Sequence, residues 1–265
     1  MSETWGKGAK NNTIGFGQGA CDNTINWGKS QKDSSVAQSW SGDTDISGCS
    51  GGSSLAQVTN LNSFQFDGIS DFISIDNSSE TLNVDFISVT TWFYPTSFTN
   101  NPSIICTPNR GSGYHTYNID LKANGTLDVI LRTSTAGGGG GPANFEQNFP
   151  SAGTLNLNQW NFICMTYDGA NVKVTVNTTS QSIARAGGVL SYTINPTGDV
   201  LIGKRDGVNA EIAGSLDELA VFNYALTDAE ILSIYNATAV VDGVNKTADL
   251  SQLTTPPVAW LRMGD

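Results

Sequence analysis

From Leu55 onward apolar and polar residues alternate with a period of two, and that alternation most limits the folds open to this chain. The segment WNFICMTYDGANVKVTVN, Trp160 to Asn177, shows it best. Trp160, Phe162 and Cys164 fall on one face of a strand, with Ile163, Met165 and Tyr167 on the other. Asp168-Gly169 then turns the chain, and Val172, Val174 and Val176 alternate with Lys173 and Thr175. Further strands are read at Phe64/Phe66, at Ile73/Ile75, and in VTTWFYP, where Val89, Thr91 and Phe93 oppose Trp92 and Tyr94 until Pro95 ends the run. Asn124-Gly125 marks a hairpin because both residues tolerate positive φ. DVLIG and SLDELAVFN supply two more strands. Many short strands with turn signals and no βαβ rhythm predict an all-β, antiparallel two-sheet sandwich. One short helix near the C-terminus is marked by Thr227 as N-cap and Glu230 three residues on, a capping box. Its Ile231, Ile234 and Tyr235 form a stripe expected to pack on the sandwich.

The N-terminus follows a different rule. WGKGAKNNTIG, FGQGACDNTIN and WGKSQKDSSVA are three near-copies of an 11-residue unit, each an aromatic followed by glycine. One such unit cannot bury its own ring, so stacked copies or other chains must do so. Trp5, Phe16 and Trp27 are therefore the expected anchor and oligomer contacts, unless the arm folds back on its own sandwich. The expected organisation is a repeat arm over 1–40, a Gly/Ser linker over 41–54, the sandwich over 55–236 and a docking tail over 237–265. Trp260 and Leu261 are too apolar for that tail to hang free.

Charge narrows the partners. Thirteen Lys and Arg against 24 Asp and Glu leave a net charge of −11. Such a surface repels phosphate backbones and anionic lipid, which excludes nucleic acid and membranes as expected partners, while it suits cations such as calcium. No apolar run of about 20 residues is present to span a bilayer. The N-terminus has no apolar core of a signal peptide. The four cysteines show no CxxC pairing and hence no zinc or redox signature. Cys164 is expected as a buried free thiol. Gly137 to Gly141 lacks the Lys-Ser/Thr of a phosphate loop and reads as a flexible loop, or as a ligand-contacting loop at a sandwich end. The single histidine, His115, sits between Tyr114 and Tyr117, which reads either as strand surface or as a sugar-contact loop with stacking tyrosines.

Four motifs occur in order: FDGISDFISI, VTTWFYP, QWNFICMTYDGANVKVTVN and IAGSLDELAVFNYALTDAEILSIY. Together they resemble the laminin G-like branch of the concanavalin A-like lectin/glucanase superfamily. The resemblance implies a two-sheet jelly roll, binding of carbohydrate or protein, and in many members a structural calcium, which would fall here to Asp67, Asp71 and Asp217. It also raises hydrolysis, which needs two carboxylates across the scissile bond. The superfamily's glucanases carry theirs as E-x-D-x-x-E on one strand. Asp217 and Glu218 are adjacent and should face opposite sides, and no carboxylate stands two residues from either. No catalytic residue is therefore expected. WGKGAKNNTIGFGQGA, SGDTDISG and AWLRMGD are in turn similar to segments of virion structural proteins from tailed marine phages. That resemblance implies a virion-surface homo-oligomer, with trimers favoured, displaying a lectin-like domain to host-surface glycan. A soluble carbohydrate-binding module and a glycan depolymerase are the alternatives.

Overall fold

The structure is a computed structural model, and it describes residues 55–77, 82–109, 114–132, 145–184, 190, 199–207, 209–241 and 244–263. Of its two compact units, Met1–Ser53 and Ser54–Asp265, the first lies outside the described residues, and with it Trp5, Phe16 and Trp27. The glycine run at 137–141 also lies outside them.

The described residues form an antiparallel sandwich. One layer is built from β11 (Thr179–Ala184), β10 (Asn171–Val176), β9 (Asn161–Tyr167), β4 (Ile87–Pro95) and β13 (Ala213–Phe222), in that order. The long β13 is flanked on its far side by two short strands. β2 (Phe64–Asp67) pairs with its first half and β16 (Ala259–Leu261) with its second. The other layer runs β3 (Ile73–Ile75), β12 (Val200–Ile202), β5 (Ser103–Asn109), β6 (Tyr114–Leu121), β7 (Leu127–Leu131) and β8 (Phe145–Asn148).

The alternation explains what lies between the layers. Val89, Phe93, Ile163, Met165, Val172, Val174, Leu216 and Leu219 meet Ile105, Tyr117, Ile119, Leu121, Val129 and Leu131 in one buried core. The opposite face of the first layer is apolar too. Trp92, Phe162, Cys164, Ala220 and Phe222 form a second core there. It is roofed by α1 (Asp228–Asn236), which applies Ile231, Ile234 and Tyr235, and by residues of a small sheet. In that sheet β1 (Gln57–Thr59) pairs with β15 (Val244–Ala248), which pairs with β14 (Ala239–Val241).

The capping box is present as read: Thr227 Oγ1 accepts from Glu230 N, and Glu230 Oε2 accepts from Thr227 N. Asp168-Gly169 makes the expected turn, with Gly169 at φ +93° and Asp168 Oδ1 accepting from Ala170 N and Asn171 N. Residues after 236 are woven into the fold rather than laid on it, since β15 partners β1 and β16 partners β13. Cys106 and Cys164 are free thiols, and burial pushes both up to about 12.

Candidate functional site

A β-bulge in β13 organises the outer face of the first layer. Asp217 pairs with Trp92 of β4, but the next ladder partner is Ala220 against Thr90, so the register slips by one residue. Glu218 takes up the extra residue at φ +51°. A non-glycine residue in that region costs roughly 1–3 kcal/mol and persists only where its surroundings over-determine it. Here they do. Glu218 Oε1 accepts from the Thr247 hydroxyl at 2.9 Å, and Oε2 accepts from the Trp260 indole N–H. Arg262 Nε lies 3.7 Å from Oε1. The expectation that Asp217 and Glu218 face opposite sides is therefore corrected: an inserted residue interrupts the period of two, and both carboxylates sit on the outer face while Leu216 and Leu219 point into the core. Asn60 Nδ2 ties the pair together, donating to Asp217 Oδ2 at 2.7 Å and to Glu218 Oε1 at 3.4 Å.

Beside the bulge opens a cleft of about 190 Å³, lined by Asn60, Trp92, Trp160, Asp217, Lys246 and Thr247 among others. Its two indoles are held differently. Trp92 is stacked on Tyr235 at 5.8 Å between ring centroids and packed against Phe162 at 5.4 Å. Trp160 lies just before β9 and is 43% exposed, steadied edge-on by Tyr94. An exposed indole fixed by a neighbouring ring is an uncommon surface feature and suits a ligand with an apolar face and a polar rim. On the polar side, Lys246 Nζ donates to Thr59 Oγ1 at 2.9 Å.

The other expected site residues do not join this cleft. Asp67 and Asp71 come together in the turn after β2. Asp67 Oδ1 accepts from the amides of Ile69, Ser70 and Asp71, and Asp71 Oδ2 accepts from Asp67 N. Those backbone bonds hold the Asp67 carboxyl down at about 2. Asp217 stands elsewhere on β13, four residues past Ala213, the partner of Asp67. The expected calcium trio is thus corrected: the two turn carboxylates serve backbone amides, and the third belongs to the bulge. No group of three or more His, Cys, Asp or Glu converges among the described residues, so these three carboxylates do not form one shared site. Tyr117 is fully buried in the core, on the inward face of β6, and is corrected as a sugar contact. Tyr114 and His115 open β6, opposite Asn109 and Pro108; their side chains lie outside the described residues.

A second polar group lies on the other layer, where Asp120 Oδ1 accepts from the Ser103 hydroxyl at 2.6 Å and Asn118 Nδ2 at 2.7 Å. Arg205 pairs with Asp120 Oδ2 at 3.1 Å. Burial raises the Asp120 pKa in spite of these partners. Neither Asn118 nor Asp120 exposes any surface, so this network braces the sheet rather than meeting a ligand.

A laminin G-type family model, described as the concanavalin A-like lectin/glucanases superfamily, matches residues 67–232. The chain belongs to that superfamily. No curated protein sequence matches it. Solved structures share the lectin-like fold at low identity. A candidate carbohydrate-binding protein from Bacteroides ovatus is 14% identical, with a TM-score of 0.52 over 77% of this chain and 53% of its own. The match thus spans only about half of that relative. The CBM40 of the Ruminococcus gnavus IT-sialidase, bound to α2,3 sialyllactose, is 15% identical, with a TM-score of 0.51 over 69% of this chain and 98% of its own. The NanB sialidase of Streptococcus pneumoniae is 20% identical, with a TM-score of 0.51 over 66% of this chain and 28% of its own. In this superfamily member Trp92, Trp160 and Asp217 fall inside the matched range, while Asn60, Lys246 and Thr247 lie outside it. Most of the cleft lining is therefore added by segments flanking the matched range.

Proposed function

We propose that this chain is a non-enzymatic, lectin-like protein that binds glycan in the Trp160 cleft and is displayed on a virion surface through its N-terminal arm. The observation that carries the binding part is the exposed, ring-steadied Trp160 beside Asn60, Asp217 and Lys246, on a lectin fold. A pyranose has one face of C–H bonds and a rim of hydroxyls, which is the complement of that surface. Two of the similar structures are described as a candidate carbohydrate-binding protein and as a CBM40 bound to sialyllactose, which supports the same reading.

The carboxylates favour binding over hydrolysis. Glycoside hydrolysis needs an acid and a second carboxylate on opposite sides of the scissile bond. Asp217 lines the cleft, whereas Glu218 receives Thr247 and Trp260 behind it. A glycan array probed with the full chain tests the reading. Bound glycans without release of reducing ends support it, a flat array refutes binding, and release of reducing ends replaces it with a depolymerase. Because Asp67, Asp71 and Asp217 do not converge, chelation is expected to leave binding unchanged.

The display part rests on the repeated units and on the resemblance of the arm to phage virion proteins. Mass spectrometry of purified particles tests it directly, and absence of the chain from particles refutes it. Deleting residues 1–45 should abolish incorporation and any homo-oligomer; a truncated chain that keeps both would place the arm back on its own sandwich.

A further inference from the structure

We infer that the Trp160 cleft selects a single neutral pyranose unit over a sialylated or otherwise anionic one, an inference that rests on the glycan-binding reading above. Size comes first. At about 190 Å³ the cleft is smaller than the roughly 300–1,000 Å³ of a drug-sized site. It admits one ring, with the rest of a glycan left outside.

Charge decides the class of ring. One carboxylate, Asp217, and one ammonium, Lys246, line the cleft, so their fields largely cancel for a ligand between them. An anionic sugar is best held by a guanidinium fork that meets both oxygens of its carboxylate. No arginine lines the cleft among the described residues, and Arg262, bonded to Thr59 next to Asn60, is directed elsewhere. Its Nη2 donates to the Thr59 carbonyl and its Nε lies beside Glu218, with the guanidinium 5.3 Å from the Trp260 ring centre. Beyond the cleft the chain carries a net charge of −11, which opposes the approach of any anion. A neutral ring meets none of these costs. Its C–H face rests on the Trp160 indole, and its hydroxyls reach a rim of mixed donors and acceptors, Asn60, Asp217 and Lys246.

The test uses the full chain and its Trp160→Ala variant on an array holding matched neutral, sialylated and sulfated glycans, followed by titration of the best binders. Trp160 is 43% exposed, so the variant should keep the parent's melting temperature. Neutral glycans should bind, with affinity nearly constant between about 0.05 M and about 0.5 M salt. Trp160→Ala should weaken them at least about tenfold, as expected when an aromatic anchor is truncated. Tighter, salt-sensitive binding of sialylated or sulfated glycans that is lost in Trp160→Ala would overturn the selectivity and leave the glycan-binding reading standing. Neutral binding that survives Trp160→Ala would overturn the assignment to this cleft. No glycan bound at all would overturn both.

Discussion

Glu218 shows how one side chain can hold a strained backbone in place. Its left-handed φ is balanced by the Thr247 hydroxyl, the Trp260 indole and the nearby Arg262, all on segments that follow it by about 29 residues or more. Glu218→Ala would remove the acceptor and leave buried donors unmatched, at a cost of about 2–4 kcal/mol. A thermal melt should fall by roughly 5–15 °C, and Glu218→Gln, which keeps one carbonyl oxygen, should fall less. Asp67 gives a second, pH-dependent case. Its folded pKa of about 2 lies below the ordinary 3.8, so its contribution is fully present above 3.8 and is lost as pH falls toward 2. Asp67→Asn keeps an acceptor for the turn but does not titrate. Its melting temperature should therefore decline less than the parent's between those two pH values, and identical acid limbs would refute the role of the turn. Neither effect was legible beforehand, for different reasons. FDGISD announces a turn, yet nothing local says that its carboxylates are consumed by backbone amides. Leu-Asp-Glu-Leu reads as plain alternation, and only residues from position 60 and from beyond position 240 select the bulge.

At the scale of elements, local signals that need no distant partner are legible in the sequence. The Thr227/Glu230 box, the Ile231-Ile234-Tyr235 stripe and the facing of β9 and β10 are written in adjacent residues and reappear in the structure. Thr227→Ala should cost about 1 kcal/mol in a urea titration. The loss should appear in the single global transition, because α1 roofs the core that holds Trp92 and Phe162. A separate early transition for the helix would show that the roof is an accessory. The small sheet was not legible. β1 and β15 pair Gln57 with Ala248 and Thr59 with Lys246, and no period in either three- or five-residue strand points to a partner so far along the chain. The contact of β13 with β4 is similarly non-local. Gly214, at φ +139°, lies so close to Tyr94 that a Cβ there would stand 2.1 Å from its carbonyl oxygen. The sequence shows a glycine in a strand without showing what approaches it.

For the whole molecule, the segment beyond residue 236 does more than dock. β16 closes the second half of β13, pairing Leu219 with Leu261 and Val221 with Ala259, and β15 carries the Lys246 and Thr247 side chains into the cleft. A chain ending at Pro256 would lose β16, the Trp260 indole that meets Glu218, and the Arg262 contact with Thr59. It would also bare the ladder groups of β13 to other chains, and an uncovered strand edge invites aggregation. The truncated chain is therefore expected to melt well below the parent, to aggregate on standing, and to lose glycan binding although Trp160 is untouched. Trp260→Phe separates the causes. It keeps the β16 ladder and the ring but removes the indole donor, so it should cost only about 1–2 kcal/mol and remain monodisperse. Light scattering and melting of the two variants side by side decide the matter. If the shortened chain behaves like Trp260→Phe, the ladder contributes little and the indole alone holds the bulge. If it melts like the parent, the last strand is dispensable and the site does not depend on the C-terminal segment.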